Sequence, residues 1–285
     1  MNNYSNIVAG IDEAGRGPLF GPVVACSVIF EEDINVLGIT DSKKISAIKR
    51  QSLYAELIAD NIDYGIGVVN ENVIDEINIL NATKKAMLLS VENLQTVPDK
   101  LLIDGNQLIE TNLQQEAIIK GDQKIAEISA ASIIAKVTRD NIINSYDKIF
   151  PMFGLSKHKG YGTKKHIESI YQYGSTSVHR KTFRPVSDVK VQNMQDYESC
   201  GVVQYAQNLV KQGFTISYFN NKEDIAIVYE DNKCEIYSIF VDNSKDNIDM
   251  KIVNEIKEKD SILNKRLDVI YIDNGNAKII KSCQI

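Results

Sequence analysis

Two adjacent acids, Asp12 and Glu13, stand at the end of a short apolar run and directly before a glycine-rich loop. The run is rich in β-branched residues, which predicts a buried strand with the acids at its end. In the loop, Gly15 and Gly17 allow backbone N–H groups to approach a ligand closely, and Arg16 adds a planar fork of donors suited to phosphate. These residue types predict a metal site beside a sugar-phosphate backbone. Taken alone, they are more typical of an acidic pair in a solvated turn followed by an ordinary Gly/Pro loop, and only the rest of the chain favours the metal site.

Two further acids occupy matching places along the chain. Asp104 follows one short apolar run, and Asp122 follows another just before a predicted long helix. A second interpretation makes Asp122 only the cap of that helix. If the three strands are neighbours in one sheet, the four acids converge in a cluster that requires bound cations. Carboxylates suit Mg²⁺ or Mn²⁺, and two such ions roughly 4 Å apart form a clamp for phosphodiester hydrolysis.

The elements that must position these acids follow from the hydrophobic pattern. The pattern predicts a hairpin over 7–30, a helix from the 41–44 turn to about 60, a strand over 64–69, a helix over 71–94, short strands before Asp104 and Asp122, a helix over 123–148 and a shorter helix ending near 173. Antiparallel strands followed by β-α-β elements fit an α/β fold, with a mixed sheet flanked by helices. The loop over 144–162 carries Tyr161.

The composition is that of a soluble globular protein. The 285 residues are 44% hydrophobic and 25% charged, enough for one sizeable domain and a smaller one. No stretch is long enough to span a bilayer and the first residues lack a signal peptide, so we expect a cytoplasmic protein with no membrane partner. The four cysteines have no metal-binding spacing, and Cys26 lies in an apolar strand, which predicts reduced thiols and no zinc.

A net charge of −6 does not by itself suggest nucleic-acid binding, but one segment differs from the average. Between Ser156 and Arg184, a single acid, Glu168, stands among seven basic residues: Lys157, Lys159, Lys164, Lys165, Arg180, Lys181 and Arg184. The segment is a candidate footprint for phosphates, and its tyrosines suit sugar and base contacts. The alternative is a solvated basic helix face.

Several motifs between residues 7 and about 186 together resemble the bacterial ribonuclease HII family. They are Gly10–Pro18, Asp41–Lys44, Leu102–Gly105, Gly121–Asp122, Ser129–Asp140, Lys159–Thr163 with His166, and His179–Val186. The sequence departs from the family at Phe20, where a small residue is more usual, and at Thr182, where serine is more usual. Neither departure removes a group expected to act in the chemistry.

The resemblance implies a ribonuclease H-like fold and a metal-dependent endonuclease that acts on RNA/DNA hybrids and on duplex DNA containing ribonucleotides. The enzyme would nick 5′ of the ribonucleotide and leave 3′-hydroxyl and 5′-phosphate ends, serving ribonucleotide excision and RNA primer removal. Two Mg²⁺ or Mn²⁺ ions per site would supply the nucleophile and stabilise the leaving 3′ oxygen. No side-chain nucleophile is needed, and we interpret the three histidines as packing residues or phosphate neighbours.

The resemblance also assigns roles to individual residues. The catalytic, metal-binding carboxylates would be Asp12, Glu13, Asp104 and Asp122. The backbone of Gly15, Arg16 and Gly17 would bind the ribose 2′-hydroxyl, which separates RNA from DNA. Tyr161 would stack on the adjacent sugar, and Ser42, Lys43 and Lys44 would hold flanking phosphates. Lys136 and Arg139 stay outside the predicted site, because a long helix can use them in internal ion pairs.

Two alternatives accompany this interpretation. Ribonuclease HIII resembles the chain less, since only six residues precede the first strand and the glycine loop has the HII form. A catalytically silent nucleic-acid binding protein derived from the enzyme is a different class of protein, and the presence of all four acids argues against it.

The resemblance leaves the residues after 186 unexplained, so we predict a catalytic domain over 1–186, a linker over 187–196 and a second small α/β domain over 197–285. Its predicted α-β-β-β-α-β order, with helices over 197–212 and 249–265, weakly resembles restriction-endonuclease-like proteins of the YraN type. The positions that match that family's Glu-x-Lys pair are Ser238 and Phe240, which leaves Asp224 alone. We therefore expect an inactive appendage that contributes stability, substrate contact or a surface for an unknown protein partner. An unrelated α/β domain is the alternative.

Overall fold

The computed structural model describes residues 7–30, 45–59, 62–190, 194–220, 225–231, 234–241, 264–273 and 276–284. The chain divides into two compact units. The first comprises residues 1–140 and 178–184, and the second comprises residues 141–177 and 185–285.

A five-stranded mixed sheet forms the centre of the first unit. Its strands are β1 (Val8–Ala14), β2 (Val23–Ile29), β3 (Asp63–Val69), β4 (Lys100–Asp104) and β5 (Gln114–Ile118), in the order β3-β2-β1-β4-β5. β1 is antiparallel to β2 and parallel to β4, and β4 is parallel to β5. The predicted hairpin and mixed sheet are therefore confirmed.

Three helices accompany this sheet: α1 (Ala47–Ala59), α2 (Glu71–Glu92) and α3 (Ala126–Ile149). α3 lies directly on the central strand at Gly10, where an added Cβ would come within 2.3 Å of the backbone nitrogen of Ile128. Only glycine permits that approach. The start of α3 is thereby held against β1, two residues before Asp12.

α2 is interrupted near its start, although the pattern predicts one continuous helix over 71–94. Asn78 has a positive φ of 66°, and its side-chain oxygen accepts the N–H groups of Leu80 and Asn81 at 3.0 and 3.1 Å. Asparagine tolerates the left-handed region and can cap a helix, so it ends one helical segment and begins the next.

The second unit contains the end of α3, four further helices and a second sheet. The helices are α4 (Leu155–His158), α5 (Lys164–Tyr173), α6 (Gln195–Ser199) and α7 (Gly201–Lys211). The strands are β6 (Thr215–Phe219), β7 (Ile225–Asp231), β8 (Cys234–Val241), β9 (Asn264–Asp273) and β10 (Asn276–Gln284), in the order β10-β9-β8-β7-β6.

Three predictions for this region need correction or fall outside the described residues. The helix predicted over 197–212 is broken at Cys200, whose extended backbone (ψ 123°) separates α6 from α7. The helix predicted over 249–265 lies mostly outside the described residues, and its last two positions belong to β9. β10 has no counterpart among the predicted elements. Among the helices of the described residues, none combines the length and apolarity needed to cross a membrane.

Candidate active site

Four carboxylates lie where three neighbouring strands end. Asp12 and Glu13 belong to the last residues of β1, Asp104 ends β4, and Asp122 lies in a short 3₁₀ turn after β5. Because β1, β4 and β5 run parallel to one another in adjacent positions, their carboxyl ends share one edge of the sheet. The three strands are therefore neighbours in one sheet, which was the condition for the four acids to share one edge.

Asp12 is the most buried charge-bearing group of β1, with 5% of its surface exposed. One of its oxygens accepts the backbone N–H of Glu13 at 2.7 Å, and the hydroxyl of Ser132 on α3 hydrogen-bonds the carboxylate. Burial raises the pKa of Asp12 well above its usual range, and the negative charges of Glu13 and Asp104 raise it further. A buried anion beside two others is stabilised by any cation that binds there.

Glu13 and Asp104 are each held by a neighbouring group. Burial raises the pKa of Glu13, the nearby guanidinium of Arg16 opposes that rise at 3.5 Å, and the charge of Asp104 adds to it. Asp104 accepts the backbone N–H of Gly121 at 2.7 Å and that of Asp122 at 3.4 Å. The end of β4 is thus tied to the turn that carries the fourth acid.

The donor set fits divalent cations of the Mg²⁺ and Mn²⁺ class, which prefer carboxylate oxygens. Burial and the negative charge of Asp104 raise the pKa values of both Asp12 and Glu13, and a bound cation would offset that charge. Within the described part of the chain, no three acidic, histidine or cysteine side chains stand in a ready-made coordinating group. Asp104 accepts backbone N–H groups, and Glu13 accepts a hydrogen bond from Arg16.

The loop after β1 depends on a glycine at position 15. Gly15 has a φ of +100°, and an added Cβ would lie 2.1 Å from Nε of Arg139, so both its conformation and its surroundings require glycine. Arg139 is 1% exposed and donates from Nε to the carbonyl of Pro22 and from Nη2 to that of Phe20, both at 3.1 Å.

A second buried arginine holds the same loop, and residue patterns alone did not identify it. Arg180 is fully buried and donates from Nη2 to the carbonyl of Gly15 at 2.6 Å, from Nη1 to that of Arg16 at 2.9 Å and from Nε to that of Gly21 at 2.9 Å. Its inclusion among phosphate-facing cations is therefore wrong. The count of basic residues could not distinguish an inward guanidinium from a solvated one.

The two ambiguous helix residues differ in role. Lys136 forms an ion pair with Asp140 at 2.8 Å, as the alternative of internal pairing predicts. Arg139 binds the backbone carbonyls of Phe20 and Pro22, in the loop between β1 and β2. A helical sequence pattern does not show which partner an arginine on the helix will bind, because the partner depends on which loop packs against that helix.

The two departures from the family pattern have structural partners in the first unit. Phe20 is fully buried and meets His179 edge-on, with ring centroids 4.8 Å apart. The hydroxyl of Thr182 donates to Asp75 at 2.6 Å, and the same carboxylate accepts the backbone N–H groups of Lys181 and Thr182. The segment that carries Arg180 is thus fastened on both sides of that residue.

Tyr161 belongs to the second unit, where its ring is 46% exposed and its backbone is fixed. Its N–H donates to the carbonyl of His158 at 2.9 Å, and its carbonyl accepts Nδ1–H of His166 at 2.9 Å. Burial lowers the pKa of His166 to about 4, so the ring is neutral at pH 7. The two histidine rings stack at 4.5 Å, and the Nε2–H of His158 donates to Phe153. Both act in packing, as predicted.

The basic segment borders a cavity of about 470 Å³ in the second unit. Lys157, Lys164 and Lys165 line it together with the apolar side chains of Pro151 and Phe153. Cations above an apolar floor suit a phosphate and its attached sugar or base. The predicted phosphate contacts Ser42, Lys43 and Lys44 lie outside the described residues.

One of the two positions that match the Glu-x-Lys pair of YraN-type proteins is enclosed in the second sheet. Ser238 is fully buried on β8, and the equally buried Asp268 on β9 accepts Nε and Nη2 of Arg266 at 3.0 and 2.8 Å. Asp224 lies outside the described residues. The acid on β9 is therefore already neutralised by a guanidinium.

Comparison with known proteins gives one family model, described as Ribonuclease HII, that matches residues 9–186. A ribonuclease HII from Acetivibrio thermocellus is 55% identical over 177 residues, which cover 62% of this chain and 69% of the relative. A ribonuclease HII from Francisella tularensis subsp. mediasiatica is 53% identical over 180 residues, 63% of this chain and 96% of the relative. Nearly all of that relative is matched by under two thirds of this chain.

Two solved structures are similar to the same part of the chain. The ribonuclease H2 from Pyrococcus horikoshii is 30% identical with a TM-score of 0.54, covering 64% of this chain and 96% of that one. The RNase HII from Archaeoglobus fulgidus, solved in complex with PCNA, is 26% identical with a TM-score of 0.55. The match covers 67% of this chain and 99% of that one.

Proposed function

The chain belongs to the ribonuclease HII family, and on that premise we propose that it nicks duplex DNA on the 5′ side of an embedded ribonucleotide, with Asp12, Glu13, Asp104 and Asp122 as its catalytic and metal-binding carboxylates. The family membership and the ribonuclease H-like fold make it a hydrolase of the RNA strand of RNA/DNA hybrids that takes part in ribonucleotide excision. Enzymes of this family are metal-dependent. Chromosomal DNA as substrate implies action in the cytoplasm.

The observation that carries the proposal is the position of the four carboxylates where the neighbouring parallel strands β1, β4 and β5 end. Asp12 lies at the shared end of β1 and β4, where burial and two neighbouring acids raise its pKa. Bound Mg²⁺ or Mn²⁺ ions, two per site, would supply an activated water and stabilisation of the departing 3′ oxygen, and Asp12 would be among the carboxylates that hold them.

The chain's own residues prepare this site in three ways. Ser132 and the N–H of Glu13 orient the carboxylate of Asp12. The N–H groups of Gly121 and Asp122 orient Asp104. Arg16, half-exposed beside Glu13, offers its remaining donors to a phosphate of the cleaved strand.

Substrate selection would come from two exposed groups. The Gly15-Arg16-Gly17 backbone would donate hydrogen bonds to the ribose 2′-hydroxyl, which deoxyribose lacks. Tyr161, with its backbone held by two histidines and its ring exposed, would stack on the sugar of the next nucleotide. Ser42, Lys43 and Lys44 would hold flanking phosphates, a role that rests on the family resemblance alone.

We further propose that the activity resides in residues 1–186 and that residues 197–285 form an inactive α/β domain. The matched relatives support this division, because one from Francisella aligns over 96% of its length without counterparts to the later residues. A chain ending at Val186 should nick a ribonucleotide-containing duplex. The fragment 194–285 should cleave no DNA in Mg²⁺ or Mn²⁺, and cleavage that Asp224→Ala removes would contradict the proposal.

The test of the function is nicking of a labelled duplex that contains one ribonucleotide, measured in Mg²⁺, in Mn²⁺ and in EDTA. We expect one product pair, with 3′-hydroxyl and 5′-phosphate ends, only when metal is present. Binding of the duplex without cleavage in either metal would identify a silent nucleic-acid binding protein. Preference for a run of ribonucleotides over a single one would indicate HIII-like specificity.

A further inference from the structure

The glycine loop is held from one side by two buried guanidinium groups. Arg180 and Arg139 together donate to the carbonyls of five loop residues: Gly15, Arg16, Phe20, Gly21 and Pro22. The two arginines come from different parts of the chain, one from α3 and one from the segment after residue 178. The loop therefore takes its shape from side chains that lie more than a hundred residues away in sequence.

Peptide geometry links these buried contacts to the exposed side of the loop. In a trans peptide unit the carbonyl of one residue and the N–H of the next point in opposite directions. Because Arg180 holds the carbonyls of Gly15 and Arg16 from within, the N–H groups of Arg16 and Gly17 are directed away from it. Arg16 and Gly17 are exposed, and across the described chain neither N–H donates to a protein acceptor.

We propose that Arg180, assisted by Arg139, is a positioning residue that aims the N–H groups of Arg16 and Gly17 at the ribose 2′-hydroxyl. A guanidinium carries five donors in a rigid plane, so Arg180 binds three carbonyls from three different nitrogens, whereas the three donors of a lysine share one nitrogen and cannot reproduce that spacing. A positive charge on the carbonyl side also polarises each peptide unit and strengthens its N–H as a donor. This inference rests on the proposed function, since it names how the same site recognises ribose.

The experiment compares full-length wild type with Arg180→Lys, which keeps the charge and loses the planar fork. On a duplex with one ribonucleotide, we expect kcat to fall roughly a hundredfold, because a small displacement of a substrate-orienting group has effects of that size. The Kd for the duplex should change less than about threefold, because phosphate contacts supply most of the affinity. A fall in kcat without a matching rise in Kd would show that Arg180 positions the loop for catalysis and does not simply contribute to duplex binding.

Two controls exclude a loss of folding. Arg266→Lys removes a guanidinium fork from the second sheet and should leave kcat unchanged. Arg180→Ala should regain activity roughly tenfold in millimolar guanidinium, and not in ammonium of equal ionic strength, if the fork itself is required. Circular dichroism of each variant reports whether it is folded.

The outcomes separate this inference from the proposed function. If wild type fails to nick the duplex, the proposed function is wrong. If wild type nicks and folded Arg180→Lys keeps the wild-type kcat, the positioning role is wrong and the function stands. Should Arg180→Lys not fold, Arg139→Lys carries the same expectation of reduced kcat at unchanged Kd, and wild-type kcat in that variant overturns the inference.

Discussion

The carboxylate of Asp104 accepts the backbone N–H of Gly121 at 2.7 Å, so the end of β4 is fastened to the turn that carries Asp122. The same carboxylate adds negative charge next to Asp12 and Glu13 and raises the pKa of both. Asp104 thus has a structural contact that an amide oxygen can replace and an electrostatic effect that an amide cannot reproduce.

Asp104→Asn separates those two properties. We expect nicking to fall more than about a thousandfold, as for the loss of a central catalytic group. In EDTA the variant should melt at a higher temperature than wild type, because one of several clustered negative charges is gone while the bond to Gly121 can persist. Thermal denaturation in EDTA and the nicking rate at saturating Mg²⁺ check this. Wild-type nicking by the variant would refute the assignment of the carboxylates.

Tyr161→Ala tests substrate selection. We expect a loss of about a hundredfold in kcat on a single embedded ribonucleotide, with less than about a threefold change in the Kd of the duplex. The resemblance also implies that the hydroxyl of Tyr161 hydrogen-bonds the ribose 2′-hydroxyl, so Tyr161→Phe, which keeps the ring and loses that bond, should lose about tenfold in kcat. Tyr171→Ala, also an exposed tyrosine of the second unit, is the matched control and should behave as wild type. An equal loss of duplex affinity would show that Tyr161 is a general anchor.

The lowered pKa of His166 leads us to expect that the free energy of unfolding falls in acid. Its pKa is lowered to about 4 in the folded state, from an ordinary value of 6.5, mainly by burial. Between these values the unfolded chain binds more protons than the folded one, so the free energy of unfolding falls as pH falls through that window. The contribution of this residue is at most about 3 kcal/mol.

Urea denaturation at neutral pH and at about pH 4.5 measures this dependence, since that interval covers most of the titration. His166→Gln cannot gain a proton, so its stability should fall less over the same interval. Identical pH dependence in the variant and in wild type would show that His166 is not responsible.

Hydrogen bonds join the residues after 186 to α3 and to Ser177, and we expect their loss to reduce stability without affecting catalysis. The hydroxyl of Tyr197 donates to the carbonyl of Ile149 at 2.6 Å, the N–H of Ile216 donates to the hydroxyl of Ser145 at 3.1 Å, and Glu198 accepts from Ser177. Tyr197→Phe should therefore lower the free energy of unfolding by about 1 kcal/mol and leave kcat unchanged.

Chemical denaturation and nicking assays on Tyr197→Phe check that expectation, with Tyr171→Phe as the control. The chain ending at Val186 loses all three contacts and should be less stable than full-length protein while still nicking. Equal stability of the two chains would mean that the later residues do not support α3.

The acids and the first hairpin could be predicted from the sequence because their signals are local. β1 and β2 are short apolar runs separated by a glycine loop, Asp12, Glu13 and Asp104 lie at the ends of their strands, and Asp122 follows β5 in a short turn. The neighbour relation of β1, β4 and β5 could only be assumed. It depends on which strands pair, and no short stretch of sequence encodes that choice.

Other features depended on partners that no local pattern reveals. Arg180 has the same side chain as the exposed basic residues around it, and only the packing of the glycine loop identifies it as an internal donor. Asn78 interrupts α2 because its φ is positive, and a single asparagine within a helical pattern does not predict that conformation. The break at Cys200 and the last strand, β10, were missed for the same reason.

The dependence of Gly15 on Arg180 also has a consequence for synthesis of the protein. A ribosome delivers the amino-terminal residues first, so Gly15 leaves the exit tunnel long before Arg180 has been translated. During that interval the nascent chain contains the four acids but lacks the guanidinium that binds the carbonyls of Gly15 and Arg16. If Arg180 has the positioning role proposed above, ribose recognition would be complete only after residues 178–184 have left the exit tunnel.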